Sequence, residues 1–228
     1  KTYFLMEYVD GINGIIINTK MSELLINALY EFQFSTPINT IKKKGKYFNK
    51  LLQPIPYILR GSMTLILLRI GFWEFISITL VALKIGFQNR KVSKNGILSH
   101  RDIRIDHNII TSSDNKLYFI DFGSTVIVKK FIMHDIVSLA FDIKNMSLDG
   151  ELINMYVSLL NDKLFFDRNP SFRILDQIRL AMITIVIGHL NESEYFNICR
   201  YYLTNILLNK KNFVEFCNEN KLKLIINK

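Results

Sequence analysis

A chain of 228 residues that is 49% apolar and 21% charged has the balance of a folded globular protein, which excludes an intrinsically disordered segment and leaves room for one large domain or two small ones. A formal charge of +9, from 29 Lys and Arg against 20 Asp and Glu, favours anionic partners such as nucleotides, phosphorylated sugars, acidic lipid or nucleic acid, without choosing among them. Cys199 and Cys217 have neither CxxC nor other metal-ligand spacing, and such sparse usage predicts free thiols in a reducing compartment.

The chain opens on Lys1-Thr2-Tyr3-Phe4-Leu5-Met6-Glu7-Tyr8-Val9. Thr2–Val9 has a strand pattern and none of the marks of a signal peptide. Asp10-Gly11 and Asn13-Gly14 predict the turn out of that strand. Met21, Leu24, Leu25 and Leu29 then repeat at helical spacing, and Pro37 closes that element. From Ile41 to Lys50, five lysines surround Tyr47 and Phe48. Lacking a helical period, this run reads as a solvated loop, with contact to acidic lipid or nucleic acid as the alternative.

Ser62 to Phe87 is the most hydrophobic stretch, interrupted by Arg69, Glu74 and Lys84. Its longest uncharged piece, Phe75–Leu83, falls far short of the roughly 20 apolar residues of a membrane span. It predicts a helix buried in the protein core, with membrane contact as the alternative. A polar linker, Gln88–Gly96, leads into short strands at Ile97–Ser99, Asn108–Thr111 and Lys116–Ile120, the last two joined by Ser112-Ser113-Asp114-Asn115. After His134 the pattern is helical: Leu152, Met155, Tyr156 and Leu159, then Ile178 to Leu190, then Tyr202, Ile206 and Phe213, with Pro170 and Gly188 as breaks.

The residues that carry chemistry lie in the strand-rich middle. Ser99-His100-Arg101-Asp102-Ile103-Arg104-Ile105-Asp106-His107-Asn108-Ile109-Ile110, followed by Tyr118-Phe119-Ile120-Asp121-Phe122-Gly123, resembles the catalytic loop and the metal-binding DFG turn of the protein kinase superfamily. Two further matches flank them. Met6-Glu7-Tyr8-Val9 resembles a kinase hinge, and Asp135-Ile136-Val137-Ser138-Leu139-Ala140 resembles the start of the buried helix whose aspartate accepts hydrogen bonds from the catalytic loop. The four matches cover Tyr3 to Asp142 in the expected order.

The resemblance implies a role for each group in phosphoryl transfer, which needs positioning and charge neutralisation more than covalent chemistry. Asp102 would accept or orient the acceptor hydroxyl, and Arg104 would stabilise charge on the transferred phosphoryl. Asp121 would hold Mg²⁺, a hard cation that wants oxygen ligands. Met6, Glu7 and Val9 would line the adenine edge of ATP. His100 and Asp135 would be structural, the ring packed under the loop and the carboxylate clamping it.

Three departures from the family pattern narrow the expectation. Nothing before Met6 supplies a glycine-rich loop or phosphate-binding lysine, which predicts a C-terminal piece with little activity on its own. Only Ser124–His134 separates Gly123 from Asp135, too short for an activation segment ending in Ala-Pro-Glu. This favours compact kinase-like enzymes that phosphorylate sugars, antibiotics or choline. The place of the second metal ligand holds His107, with Asn108 one residue later. His-Arg-Asp followed by His at that interval resembles the lipopolysaccharide-core kinases of the Kdo/heptose type more than the aminoglycoside phosphotransferases. An imidazole at His107 would suit Mn²⁺, whereas a bulged Asn108 carbonyl would suit Mg²⁺.

The expected fold is α+β and mainly helical: residues 1–18 as the end of an N-lobe strand and hinge, and residues 19–228 as a kinase-like C-terminal lobe, with the catalytic loop at 99–110 and the metal-binding turn at 121–123. The expected activity is transfer of the γ-phosphoryl group of ATP, with Mg²⁺ or Mn²⁺, to a hydroxyl of a small molecule or glycan. An atypical protein kinase is the alternative within enzymes, and a pseudokinase or nucleotide-binding scaffold the alternative outside them. The expected setting is cytoplasmic, with anionic membrane at its inner face as a further partner and no nucleic acid.

Overall fold

The helix predicted around Met21–Leu29 is α1, Thr19–Phe34, the first long element in a computed structural model that describes residues 11–13, 19–34, 70–88, 97–105, 109–112, 117–120, 125–128, 132–168 and 173–223. Ser22, Leu25, Ile26, Leu29 and Gln33 are its buried residues. Their steps of three and four place them on one face. Leu24 turns away from that face and is 36% exposed.

The described part of the chain is α+β and mainly helical. Its strands are short. β1 (Gly11–Asn13), β3 (Ile109–Ser112) and β4 (Leu117–Phe119) form an antiparallel sheet in the order β1-β3-β4, while β2 (Ile97–Ser99) pairs antiparallel with β5 (Val126–Val128). Gly11–Asn13, expected as part of a turn, is therefore an edge strand, with Gly11 opposite Ser112 and Asn13 opposite Ile110. Pairing with β3 outweighs the weak strand preference of glycine and asparagine, which is context-dependent. The predicted strand Thr2–Val9, the lysine run and the segment from Ser62 to Arg69 lie outside the described residues.

The expectation of a core-buried helix over Ser62–Phe87 needs correction. Helix α2 runs Phe72–Gln88, and Ile78 is fully buried while Phe72, Trp73 and Leu80 are 59%, 75% and 60% exposed. Gly71, just before it, holds φ +122°, a conformation that suits glycine alone, and a Cβ there would press on the Glu74 carboxylate. The interior position expected for α2 is taken by the apolar helix over Ile174–Gly188.

Helix α3 (His134–Ala140) leads into a small hairpin, β6 (Phe141–Asp142) with β7 (Ser147–Leu148), which interrupts the helical run expected after His134. Asp142 builds the turn, its Oδ1 accepting from the backbone N–H groups of Lys144 and Asn145, a local bond that competes with helix. Then come α4 (Gly150–Asp162), α5 (Phe165–Arg168) and α6 (Ile174–Gly188). Asp149 caps α4 by accepting from the Leu152 N–H at 3.0 Å.

Helix α6 is the central one. Ile178, Leu180, Ala181, Met182, Ile183, Val186 and Ile187 are buried on it, and it packs against both α3 and α2. The stretch Ile174–Asn191 is long and apolar enough to cross a membrane, yet 56% of it is buried in the protein, as suits a core helix. After a short 3₁₀ turn, α7 (Phe196–Tyr201) continues as a π-helical turn over Tyr202–Leu207, and α8 (Lys210–Glu219) follows. Arg179 of α6 donates from its guanidinium to the Leu207 and Leu208 carbonyls at 2.6 Å each. This satisfies carbonyls that the end of the helix leaves open. Cys199 and Cys217 are free and buried, and burial pushes their thiols up to about 11 and about 12.

Gly150, at the start of α4, lies against the returning chain beyond α8. A Cβ there would collide with the Asn220 carbonyl and come within 2.6 Å of the Leu222 backbone nitrogen, whereas Gly188 has nothing within 4 Å of its Cβ position. Backbone cannot yield as a flexible side chain does. Gly150→Ala is expected to destabilise the fold by roughly 1–3 kcal/mol, with Gly188→Ala close to neutral, as read from urea unfolding midpoints.

Candidate active site

The site is organised from beneath by Asp135, the second residue of α3, which is fully buried. Its Oδ1 accepts from the backbone N–H of Arg101 at 3.0 Å and from the Ser99 hydroxyl at 2.9 Å. Its Oδ2 accepts from the backbone N–H of His100 and from the Gln33 side-chain amide, both at 3.0 Å. A buried carboxylate is costly unless its lone pairs are filled, and here they are. The hydrogen bonds expected between Asp135 and the loop after β2 are thus present.

The network extends further than the sequence indicated. Gln33 also donates to the Ile132 carbonyl at 3.4 Å, and the buried Tyr156 hydroxyl donates to the Gln33 Oε1. One chain of bonds therefore links α4, α1, α3 and the loop at 99–101. Arg101 holds φ 73°, a strained conformation for a residue with a side chain, which persists where surrounding bonds enforce it. The grip of Asp135 on the His100 and Arg101 N–H groups supplies that enforcement.

His100 ties the same loop to β4. Its ring is fully buried beside Phe32, with centroids 6.2 Å apart, and Phe32 in turn meets Phe119 edge-on. The His100 Nε2 lies 2.8 Å from the Ile120 carbonyl; facing a carbonyl, that nitrogen carries the proton and donates. Ile120 immediately precedes Asp121 in the sequence.

Asp102 and Arg104 are exposed, while Ile103 between them is fully buried and pins the loop. Both exposed side chains line a cavity of about 220 Å³ that Arg101, His134, Ser138 and His189 help to enclose. Burial, the largest influence on it, lowers the His134 pKa, and the nearby Arg101 charge acts in the same sense against the opposing pull of Asp135. That ring is neutral at neutral pH. His189 Nδ1 lies 2.7 Å from the Glu192 carboxylate. A larger, shallower hollow of about 600 Å³ lies elsewhere, between α2 and the start of α8.

The structure thus brings together Asp102 and Arg104 and sets both over Asp135. Met6, Glu7, Val9, His107, Asn108 and Asp121 lie outside the described residues. Gln33, Tyr156, Ser138 and His189 are additions that motif reading did not single out. The signal for Gln33 was a polar residue in phase with the buried face of α1; Tyr156, inside an apolar repeat, left no comparable trace.

Burial by itself raises the Asp135 pKa, but the hydrogen bonds it accepts outweigh burial and hold the carboxyl below the usual carboxylate range. His134 lies 3.8 Å away, too far for a good hydrogen bond, and is neutral, so the weight falls on the donors at 2.9–3.0 Å. Because the folded carboxyl titrates below the unfolded one, its stabilisation is complete above the unfolded pKa of about 4 and is lost as pH falls through the lower folded value. Asp135→Asn is expected to cost roughly 2 kcal/mol at pH 7 and to flatten that acid limb, as followed by urea unfolding across pH.

Compared with known proteins, the chain matches no protein-family model and no curated protein.

Proposed function

We propose that the protein is an ATP-dependent phosphotransferase acting on a hydroxyl of a small molecule or glycan. The observation that carries this reading is Asp102, exposed at a cavity while its loop is locked from below by Asp135 and tied by His100 to the residue before Asp121. A carboxylate held this firmly and yet open to solvent suits a group that must orient a hydroxyl. In the proposed step the acceptor oxygen attacks the γ-phosphorus, the bond to the β,γ-bridging oxygen breaks, ADP leaves, and the hydroxyl proton passes to Asp102. ATP would supply the phosphoryl group, and a bound Mg²⁺ or Mn²⁺ would supply charge neutralisation at the phosphates. The metal-holding role is proposed for Asp121 with His107 or Asn108, and the adenine contacts for Met6, Glu7 and Val9, on sequence position alone.

A cavity of about 220 Å³ is on the scale of a small acceptor and not of a docked polypeptide segment, which favours this reading over an atypical protein kinase. The protein should consume ATP, and Asp102→Asn should lower kcat by roughly 10²–10⁴-fold without a change in unfolding temperature. Asp121→Asn should abolish turnover, and His107→Ala should cost more than Asn108→Ala, with Mn²⁺ supporting the wild type at least as well as Mg²⁺. Undiminished turnover in Asp102→Asn would refute the reading. ATP binding without turnover in the wild type would establish a pseudokinase instead.

A second reading, peripheral contact with anionic membrane, is favoured by a different observation. Phe72, Trp73 and Leu80 expose an apolar face on α2, Lys84 is exposed on the same helix, and Lys210 borders the hollow that Trp73 lines. Exposed aromatic and aliphatic side chains beside lysines, on a chain of charge +9, match an acidic lipid surface. Trp73 is the single tryptophan. Its emission should shift to the blue with vesicles containing phosphatidylserine and not with pure phosphatidylcholine, and Leu80→Asp should reduce co-sedimentation. Unchanged emission with both would rule this contact out.

A further inference from the structure

We infer that His189, oriented by Glu192, is a ligand-binding residue of the cavity beside Asp102, and that the ligand is a neutral polyol whose second hydroxyl it receives. That the hydroxyl at Asp102 is the one phosphorylated rests on the proposed phosphotransferase function; that the cavity binds a polyol does not.

His189 follows directly on α6, at the first position of the 3₁₀ turn His189–Asn191, and the Glu192 N–H closes that turn on the His189 carbonyl at 3.1 Å. The same three-residue step brings the Glu192 carboxylate to 2.7 Å from the ring Nδ1. Tyr195 meets the ring edge-on, with centroids 6.2 Å apart. Held on two sides, the His189 side chain is only 20% exposed, and it lines the same cavity as Asp102. A carboxylate can only accept, so it fixes the proton of the neutral ring on Nδ1 and leaves Nε2 as a bare lone pair. Among the described residues no group takes that lone pair.

Two more acceptors line the same space. The Asp102 carboxylate is exposed there, and the Thr184 hydroxyl donates to the Ala181 carbonyl at 2.7 Å, which leaves its oxygen as an acceptor. Arg104, exposed and near enough to Tyr195 for its charge to act there, adds donors. Charges of both signs surround the cavity: Arg101 and Arg104 stand against Asp102, the buried Asp135 and Glu192. Arg101 is moreover engaged in contacts of its own. Hydrogen bonding, and not net charge, is therefore left to select the ligand.

A hydroxyl donates one bond and accepts others, so it matches both the acceptors and Arg104, whereas an ammonium group only donates. Several hydroxyls on a short carbon frame answer several acceptors, with Ile103 and Ile185 as apolar surface for the C–H groups. A mono-alcohol can satisfy Asp102 or His189, but not both.

The test is ¹⁵N NMR of the His189 ring in the 228-residue chain at about pH 9, above the ordinary imidazole range, during titration with glycerol, myo-inositol, 2-propanol and choline. Without ligand the ring should be the Nδ1–H tautomer. At least one of the two polyols should move the bare Nε2 signal and bind about tenfold or more tightly than 2-propanol, a difference on the scale of one hydrogen bond. Choline should leave that signal in place. His189→Phe should weaken polyol binding about tenfold, read at the amide signals of Ile103 and Ser138, whereas His189→Gln, whose amide oxygen can stand in for Nε2, should retain most of it. Glu192→Ala should move the Nε2 signal toward its protonated position and weaken polyol binding. A role confined to the turn would instead lower the unfolding temperature of these variants and leave binding unchanged.

A proton on Nε2 in the unliganded chain, failure of both polyols to bind, binding of 2-propanol or choline as tight as theirs, or polyol binding indifferent to both His189→Phe and Glu192→Ala would each overturn the inference. Polyol binding that depends on His189, together with undiminished phosphotransfer in Asp102→Asn, would leave the polyol site standing while removing the proposed reaction. Turnover that depends on Asp102 but keeps its KM for the acceptor in His189→Phe would do the reverse.

Discussion

The buried carboxylate of Asp135 is the interaction on which the rest of this arrangement depends. It fills four hydrogen bonds, two to consecutive backbone N–H groups and two to the side chains of Ser99 and Gln33. A carboxylate removed from water needs such partners, and the partners in turn cannot move independently of it. Arg101 is held in a left-handed conformation as a result, and the chain then presents Asp102 and Arg104 outward with Ile103 anchored between them. The exposed, chemically capable residues are positioned by groups that never touch solvent.

Those interior groups also explain how a very short α3 of seven residues can serve as a platform. Nearly all of it is buried, and it packs against both α4 and α6, so rigidity comes from its surroundings and not from helix length. Helix α6 contributes twice, as the apolar floor of the core and, through Thr184, Ile185 and His189 just beyond its end, as one wall of the cavity.

Local pattern made much of this legible in the sequence. The helical spacing of Leu25 and Leu29, the strand at Ile97–Ser99 and the hydrogen bonds of Asp135 were all readable, because each rests on short-range periodicity or on a motif whose spacing reflects its chemistry. Three features were not. Gly11–Asn13 looked like a turn until its partner β3, nearly a hundred residues away, was known. The apolar segment containing α2 looked like core because hydropathy does not say which of two apolar helices wins the interior, and α6 did. The phase of Gln33 marks it as buried but not as a partner of Asp135, and Tyr156, which reaches Asp135 only through Gln33, leaves no local signal. What the sequence could not show was, in each case, a choice settled by distant partners.

The span of these bonds has a consequence for how the molecule comes together. The Gln33–Asp135 contact closes a loop of 102 residues and the Tyr156–Gln33 contact one of 123, so neither is rewarded until the chain between has already paid most of its loop entropy. The bonds that shape the loop bearing Asp102 directly span only 34–36 residues, and the two long contacts fasten the aspartate that makes them to α1 and, through Gln33, to α4. Loosening α1 or α4 against the rest of the interior therefore acts on the direction of Asp102 from a distance, through a carboxylate that is itself out of reach of solvent.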